Sequence, residues 1–233
     1  MSNILKRSYI FIQKLVNLIG FNIIISGRNA NLIADSLPQV RLQQKNIKNL
    51  KVVLNREDLL KLLPKNSIFA ELGVDKGDFS AKIISFTQPK KLYLIDIWET
   101  ERYDKNKMNF VKKRFQKEID ARRVYIIRGR SEKVLKKFED GYFDCVYIDT
   151  SHSYKQTVKE LELCRVKVKD GGLITGHDYW RGNIIKAQVH GVIQAVNEFC
   201  IKYDWEFVYL THENSRALSF AIKKLKFSPN NTT

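Results

Sequence analysis

Short apolar runs alternate with helical patterns through the middle of the chain, and this alternation constrains the fold more than any other feature. The apolar runs cover residues 67–72, 91–97, 124–127, 143–148 and 172–175. Helical patterns follow them at residues 78–86, 109–119, 131–138, 154–166 and 189–202. Short, continuously apolar strands separated by helices predict a parallel sheet covered on both faces.

The end of the pattern differs from its beginning. Residues 205–210 and 217–223 form two further apolar runs joined by a short turn at residues 211–216. Two strands joined by so short a turn must be antiparallel. The sequence therefore predicts an α/β, doubly wound, mostly parallel sheet with a C-terminal antiparallel β-hairpin.

The 233 residues suit one domain with a short appendage. We expect an N-terminal helical extension over residues 1–49, the sheet domain over 50–226 and a disordered tail over 227–233. Residues 8–25 form an amphipathic pattern that polar residues interrupt, so they make a poor membrane span. We favour a helix packed on the domain or on a second subunit, as in a homodimer; the alternative is a helix lying on a membrane surface through Lys6, Arg7 and Lys14.

Lys and Arg number 41 against 25 Asp and Glu, giving a net charge of +16. Such a charge attracts polyanions, including nucleic acid and anionic acceptors, unless its lysines merely sit on solvated faces. The three cysteines show no CxxC spacing, which favours a reducing compartment and a cytoplasmic location, and Cys145 in an apolar run reads as a buried residue.

The first β-to-α turn carries the pattern ExGxxxG, formed by Glu71, Gly73 and Gly77. Gly73 lets the backbone turn tightly and approach a ligand, and Gly77 removes the side chain where the helix begins. The pattern is neither the GxGxxG of dinucleotide sites nor a phosphate loop ending in GK[ST]. Asp96 ends the next strand, 23 residues after Gly73. A carboxylate there accepts two hydrogen bonds from a ribose diol, or else it caps a turn.

Two further strand ends are rich in polar side chains. Asp149 and His152 follow the fourth strand, and His177 and Asp178 follow the fifth. Because neighbouring parallel strands end at the same edge of a sheet, we expect these side chains around one crevice.

This order of elements, with IDxxHxY at residues 148–154 and GGxxxGHDY at 171–179, resembles the class I S-adenosylmethionine-dependent methyltransferases. Within them it resembles a bacterial and viral small-molecule or sugar O-methyltransferase-like family. The resemblance covers residues 50–223 and makes the sheet domain the one that binds S-adenosylmethionine. It implies that Glu71 faces the methionyl amino group, that Gly73 approaches the cofactor and that Asp96 holds the ribose.

The same resemblance extends the cofactor site to other positions. It places Gly129 and Ser131 beside the adenine, although Ser131 also suits a helix N-cap. Trp98 either stacks near the adenine or packs in the core. The complete predicted cofactor site consists of Glu71, Gly73, Val74, Gly77, Asp96, Ile97, Trp98, Gly129, Ser131 and Asp149.

Two mechanisms fit the catalytic candidates Asp149, His152 and His177. In one, Asp149 and Asp178, alone or with His177, hold Mg²⁺, which binds a substrate diol and lowers the pKa of its hydroxyl. In the other, His152 or His177 is the general base, because imidazole titrates near neutral pH. Alternatively, each histidine has no catalytic role and only forms a hydrogen bond with a neighbouring group.

We therefore expect an O-methyltransferase acting on a sugar, a glycan or another small acceptor. The alternatives are an RNA or protein methyltransferase, motivated by the charge, and a non-catalytic scaffold. Residues 179–189 are expected to form a mobile loop over the substrate, where Arg181 and Lys186 clamp an anionic acceptor. His190 and His212 have no partner at a useful sequence spacing.

Overall fold

The computed structural model describes residues 36–183, 188–213 and 217–226, apart from the side chains of 183 and 188. The predicted extension helix at residues 8–25, the tail at 227–233 and Lys186 lie outside these residues. Ten strands and seven α-helices follow one another along the described chain. The strands are β1 (Lys51–Val53), β2 (Ile68–Leu72), β3 (Lys91–Asp96), β4 (Val124–Arg128), β5 (Phe143–Ile148), β6 (Val168–Tyr179), β7 (Gly182–Asn183), β8 (Gln188–Val189), β9 (Trp205–Thr211) and β10 (Leu218–Lys224). The helices are α1 (Arg56–Leu62), α2 (Asp78–Thr87), α3 (Lys105–Arg114), α4 (Gln116–Asp120), α5 (Ser131–Leu135), α6 (Tyr154–Lys167) and α7 (Val192–Tyr203).

Eight of the strands form one sheet in the order β1-β9-β10-β6-β5-β2-β3-β4. Every neighbouring pair is parallel except those that involve β10, which is antiparallel to both β6 and β9. The predicted doubly wound sheet with a C-terminal antiparallel hairpin, β9–β10, is confirmed. The chain passes from β2 outward to β4 and then returns to β5 beside β2, so the strand order reverses between β2 and β5. Ligands bind at such a reversal, outside the carboxyl ends of the strands.

The sheet separates two apolar layers. One layer packs α5, α6 and α7 against one face, and the other packs α1, α2 and α3 against the opposite face. The central strands are buried on both sides, which explains their continuously apolar sequences. Cys145 is fully buried in β5, as its sequence context predicts.

Several boundaries differ from the sequence prediction. The single helix predicted at residues 109–119 is two helices that meet at Phe115, which leaves helical geometry with φ −108° and ψ 24°. The helix predicted from residue 189 begins at Val192, because residues 188 and 189 pair with Gly182–Asn183 in a two-stranded ribbon, β7–β8. Both strands of this ribbon lie within residues 179–189, which the sequence predicts as a loop; residues 184–187 lie outside the described residues. Strand β1, which pairs with β9, was not predicted.

Residues 36–49 lie against the C-terminal part of the domain. Within them, residues 44–46 form a single 3-10 turn. The buried Asn46 side chain donates hydrogen bonds to the carbonyl oxygens of Cys200 (3.3 Å) and Trp205 (2.7 Å). These bonds attach the segment before β1 to the region where α7 ends and β9 begins. Among the described residues, no helix has both the length and the apolar character that crossing a bilayer requires.

Candidate active site

A cavity of about 630 Å³ opens at the carboxyl edge of the sheet, where the strand order reverses. Its walls come from the segments that follow β2, β3, β4 and β5. The predicted site residues that line it are Glu71, Gly73, Val74, Asp96, Ile97, Gly129, Ser131, Asp149 and His152. Four separate strand ends therefore contribute to one cavity, as adjacent parallel strands require.

Gly73 is required by the packing of two strand ends. Its φ is +90°, and a Cβ built there would lie 1.9 Å from the carbonyl oxygen of Asp149. The loop after β2 thus presses directly against the end of β5. The backbone N–H of Gly73 donates to the carbonyl of Ile95 at 2.9 Å, which ties the same loop to β3. Gly77 instead begins α2 with φ +76°, does not line the cavity, and faces the Phe115 ring.

Asp96 fixes the loop through one of its two carboxylate oxygens. Its Oδ2 accepts hydrogen bonds from the backbone N–H groups of Val74 (2.8 Å) and Asp75 (2.9 Å). Among the described residues, its Oδ1 receives only a long hydrogen bond, 3.4 Å, from the N–H of Trp98. One oxygen therefore holds the loop and the other is left for a ligand in the cavity.

Trp98 is fully buried and does not line the cavity. Its Nε1 donates to the carbonyl of Asp75 at 3.2 Å, and its ring packs in the apolar layer beside α2 and α3. Of the two roles considered for Trp98, the structure shows the core position. Through its bond to Asp75, Trp98 stabilises the loop after β2 from the core side of that loop.

Glu71 is a buried carboxyl group, 1% exposed, at the end of β2. The hydroxyl of Ser80 donates to its Oε2. Burial raises the pKa of Glu71 to about 8, against the lowering effect of the Ser80 hydrogen bond. Within the part of the chain that the structure describes, no cation pairs with Glu71, so this carboxyl is suited to receive a positively charged ligand group.

A polar group centred on Glu160 also lines the cavity. The Glu160 carboxylate accepts hydrogen bonds from Thr150 Oγ1 (2.7 Å), Gln156 Nε2 (3.0 Å) and the Ser131 hydroxyl. Ser131 does not act as a helix N-cap, since Arg130 occupies that position. Glu160 lies in the middle of α6, and no motif in the sequence singles it out.

His152 stands between two carboxylates. Its Nε2 lies 2.8 Å from Asp178 Oδ2 and 3.5 Å from Asp149 Oδ1. His152 and Asp178 both have left-handed backbone conformations, with φ near +57° and +58°. Burial lowers the pKa of His152, but the hydrogen bonds to Asp149 and Asp178 outweigh it and raise that pKa to about 9.

Arg56, which is not among the predicted site residues, forms an ion pair with the Asp149 carboxylate. Its Nη2 lies 2.9 Å from Asp149 Oδ2, and its Nε donates to the Tyr147 hydroxyl at 3.0 Å. Its guanidinium also lies 4.0 Å from the centroid of the Phe79 ring. Burial raises the pKa of Asp149, but its bond to His152 and the Arg56 charge prevail and that pKa is lowered. Only the position of Arg56 at the start of a helix was visible in the sequence.

His177 and Asp178 separate although they are adjacent in sequence. Neighbouring residues of a strand point to opposite sides. His177 Nδ1 lies 2.9 Å from the Ser219 hydroxyl, and the residue does not line the cavity. Burial and the nearby Arg56 charge lower the pKa of His177. The structure therefore brings Asp149, His152 and Asp178 together. His177 bonds Ser219 instead but remains near enough to interact electrostatically with Asp149 and Asp178, and Asp178 likewise does not line the cavity.

The predicted Mg²⁺ pair does not have the surroundings that this ion prefers. The His152 imidazole stands between Asp149 and Asp178, and Asp149 is already paired with Arg56. Mg²⁺ prefers oxygen ligands and water. The potential ligands around Asp178 are instead the nitrogens of His152 and His190. His190 is a further residue whose partners the sequence spacing did not reveal.

Residues 70–179 match the model of a protein family described as a methyltransferase domain. The chain contains a methyltransferase domain. The matched region runs from within β2 to the end of β6 and so contains every strand end that lines the cavity. No curated protein matches the sequence of this methyltransferase significantly.

Solved structures share the fold of this methyltransferase at low sequence identity. A candidate rRNA-methylase from Clostridium thermocellum is 17% identical, with a TM-score of 0.54, over 74% of this chain and 94% of the other. A candidate methyltransferase from Streptococcus mutans, solved in complex with SAH, is 16% identical, with a TM-score of 0.52, over 72% and 95%. Fibrillarin from Aeropyrum pernix, with natively bound S-adenosyl-L-methionine, is also 16% identical, with a TM-score of 0.52, over 71% and 72%. At these identities the likeness concerns the fold alone.

Proposed function

We propose that this methyltransferase methylates a hydroxyl group of a small acceptor, namely a sugar or a glycan terminus, and that His152 takes the hydroxyl proton. The observation that carries the proposal is that His152 and Asp149 line the same cavity as Glu71 and Asp96. The wall after β5 consists of the polar residues 149–152. Such a wall suits a polyhydroxylated acceptor better than an apolar one.

The residues at the cavity fit S-adenosylmethionine by their chemistry. This cofactor supplies an electrophilic methyl group on a sulfonium, so that methylation of an oxygen releases the hydroxyl proton. Glu71 lies buried and pairs with no cation of the described residues, which suits the methionyl ammonium, and Asp96 keeps one oxygen for a ribose diol. The polar group around Glu160, with Ser131 and Gly129, offers hydrogen bonds at the adenine end.

The position of His152 decides which of its nitrogens takes the proton. Its Nε2 faces two carboxylates, which accept hydrogen bonds but cannot donate them when ionised, so Nε2 carries a hydrogen. In the neutral imidazole Nδ1 is then the basic nitrogen. Asp178 orients the ring and stabilises the imidazolium that forms, as a carboxylate does for a catalytic histidine. Because its pKa is raised, the neutral form of His152 increases with pH, and we expect the rate to increase with it.

The test is a steady-state assay with labelled S-adenosylmethionine and a panel of sugars, glycan fragments and phenols. We expect His152→Ala to lower the transfer rate about a hundredfold or more, while the affinity for S-adenosylhomocysteine stays close to that of the wild type. His212→Ala, at an exposed histidine outside the cavity, is the matched control. Equal rates in His152→Ala and the wild type would refute the proposal, and loss of activity only in His177→Ala would transfer the role to His177.

An RNA acceptor is the second candidate, favoured by the net charge of +16 and by two arginines, Arg102 and Arg130, in the cavity wall. RNA binding through such charges weakens steeply as salt increases. Methylation of RNA in the same assay, together with salt-sensitive RNA binding, would favour this candidate over the sugar.

A further inference from the structure

His190 holds a buried nitrogen that no group among the described residues satisfies. The residue is 7% exposed, and its Nδ1 has no hydrogen-bond partner in the described structure. A buried polar atom without a partner is costly, so such an atom calls for a specific explanation. Asp178 Oδ1 lies 3.6 Å from this Nδ1, beyond hydrogen-bonding distance.

Three potential ligands converge around Asp178. His152 Nε2 lies 2.8 Å from one carboxylate oxygen, and His190 Nδ1 approaches the other. One ligand atom from each of His152, Asp178 and His190 lies within 4.8 Å of the other two. The two imidazole rings are 4.9 Å apart between centroids. Small side-chain rotations would place the three atoms around one ion.

The backbone holds the three residues together. The N–H of Gly191 donates to the carbonyl of His152 at 2.9 Å, and the N–H of His190 donates to the carbonyl of Arg181 at 3.1 Å. A Cβ on Gly191 would lie 2.3 Å from Tyr154, so the start of α7 presses against the start of α6. The segments after β5, β6 and β8 are thus joined at this point.

We propose that His152 Nε2, Asp178 and His190 Nδ1 bind one divalent transition-metal ion, with Zn²⁺ as the representative. Two imidazole nitrogens and one carboxylate suit Zn²⁺ and similar ions, whereas Mg²⁺ prefers oxygen ligands. Three protein ligands leave a position open for water. The inference adds a site, next to the transfer cavity, that the methyltransferase fold does not require.

The consequence of metal binding rests on the proposed function. A bound ion takes Nε2 of His152, so the ring hydrogen moves to Nδ1 and the imidazole no longer accepts a proton. Metal binding and methyl transfer therefore exclude each other. The metal-free enzyme is the active form, and the ion is an inhibitor whose binding depends on His190.

The experiment begins with full-length protein freed of metal by a chelator and then titrated with Zn²⁺ alone in a calorimeter. We expect one ion per chain, an affinity weakened at least about tenfold in His190→Ala, and no change in His212→Ala. Since His190→Ala leaves a gap in a buried position, His190→Gln, which keeps polar volume, serves as the second variant. Co²⁺ in place of Zn²⁺ reports imidazole ligation through its visible absorption.

The methyl transfer assay, repeated with increasing Zn²⁺, supplies the second measurement. We expect the wild-type rate to decrease over the concentrations at which Zn²⁺ binds, and the His190 variants to need at least about tenfold more. Absence of stoichiometric binding, equal affinity in the His190 variants, or a rate that increases with Zn²⁺ would overturn the inference. Failure to bind Zn²⁺ would leave the proposed function intact if the metal-free enzyme still requires His152.

Discussion

Asp96 Oδ2 accepts the backbone N–H of Val74 at 2.8 Å, so the acid at the end of β3 fixes the loop at the end of β2. The same oxygen accepts the N–H of Asp75. The carboxylate that the sequence assigns to a ribose is therefore also a structural brace. Loss of cofactor binding in an Asp96 variant has two possible causes, which a pair of variants separates.

We predict that Asp96→Ala destabilises the protein by about 1–3 kcal/mol, because the buried N–H of Val74 and the partly buried N–H of Asp75 lose their acceptor. Asp96→Asn keeps an oxygen for both groups and should lose less than about 1 kcal/mol. Urea unfolding measures the free energy, and hydrogen exchange of the Val74 and Asp75 amides reports the loop. If Asn and Ala cost the same and leave these amides equally protected, Oδ2 is not the brace.

Glu71 gives a prediction about pH. Its folded-state pKa, raised to about 8, exceeds its ordinary value of 4.5, so the folded protein retains a proton that the unfolded chain releases. The contribution of Glu71 to stability is therefore greatest below pH 4.5 and decreases until about pH 8. Glu71→Gln lacks this dependence. The stability difference between variant and wild type should increase in favour of the variant from pH 5 to pH 8 in urea unfolding.

The same substitution should weaken binding of S-adenosylhomocysteine by at least about tenfold, because the methionyl ammonium loses its carboxylate. Wild-type binding at pH 7 should also release a proton as Glu71 ionises, detectable by calorimetry in buffers of different ionisation enthalpy. A variant that is both less stable at pH 8 and unchanged in affinity would contradict the role given to Glu71.

Gly73 should not tolerate a side chain. A Cβ would lie 1.9 Å from the Asp149 carbonyl at a φ of +90°. We expect Gly73→Ala to cost at least about 2 kcal/mol, from strain and from separation of β2 and β5. Gly141→Ala is the control, because Gly141 also has positive φ, +65°, but open space around its Cβ. Equal losses at the two glycines would mean that contact with Asp149 contributes nothing.

Arg56 should act as a positioning residue for Asp149. Arg56→Met keeps an apolar chain over Phe79 but removes both hydrogen bonds, to Asp149 and to Tyr147. We expect kcat to decrease about tenfold or more with little change in the affinity for S-adenosylhomocysteine. Tyr147→Phe leaves the Arg56–Asp149 bond, removes the bond to Arg56 and the 3.2 Å hydrogen bond between Tyr147 and Ser219, and should decrease kcat less than about threefold. A similar decrease in both variants would assign the effect to Tyr147.

The sequence predicted those features that depend on strand ends. Apolar runs locate the strands, and Glu71, Gly73, Asp96 and Asp149 lie at or directly after the ends of these strands. Because neighbouring strands pair in parallel, these residues meet at one edge of the sheet. Residues on helices were harder to place. Arg56, Glu160 and His190 reach the cavity or its surroundings from α1, α6 and the segment before α7, and their directions depend on how these elements pack.

Side-chain direction also explains the positions of Trp98 and His177, two of the predicted site residues that do not line the cavity. Trp98 follows Asp96 closely in sequence, but the chain turns through a positive φ of 39° at Trp98 and the ring enters the core. His177 neighbours Asp178 but points to the Ser219 side of the sheet. Sequence proximity to a site residue indicates neither a shared face nor a shared function.

The most direct measurement is calorimetric titration of the wild type, Asp96→Ala and Asp170→Ala with S-adenosylhomocysteine. Asp170 is exposed and does not line the cavity, so its variant controls for the loss of one negative charge. We predict binding to one site per chain with a dissociation constant on the order of micromolar in the wild type and Asp170→Ala, and none in Asp96→Ala. Absence of binding in the wild type, or equal affinity in all three proteins, would contradict the cofactor cavity on which the account depends.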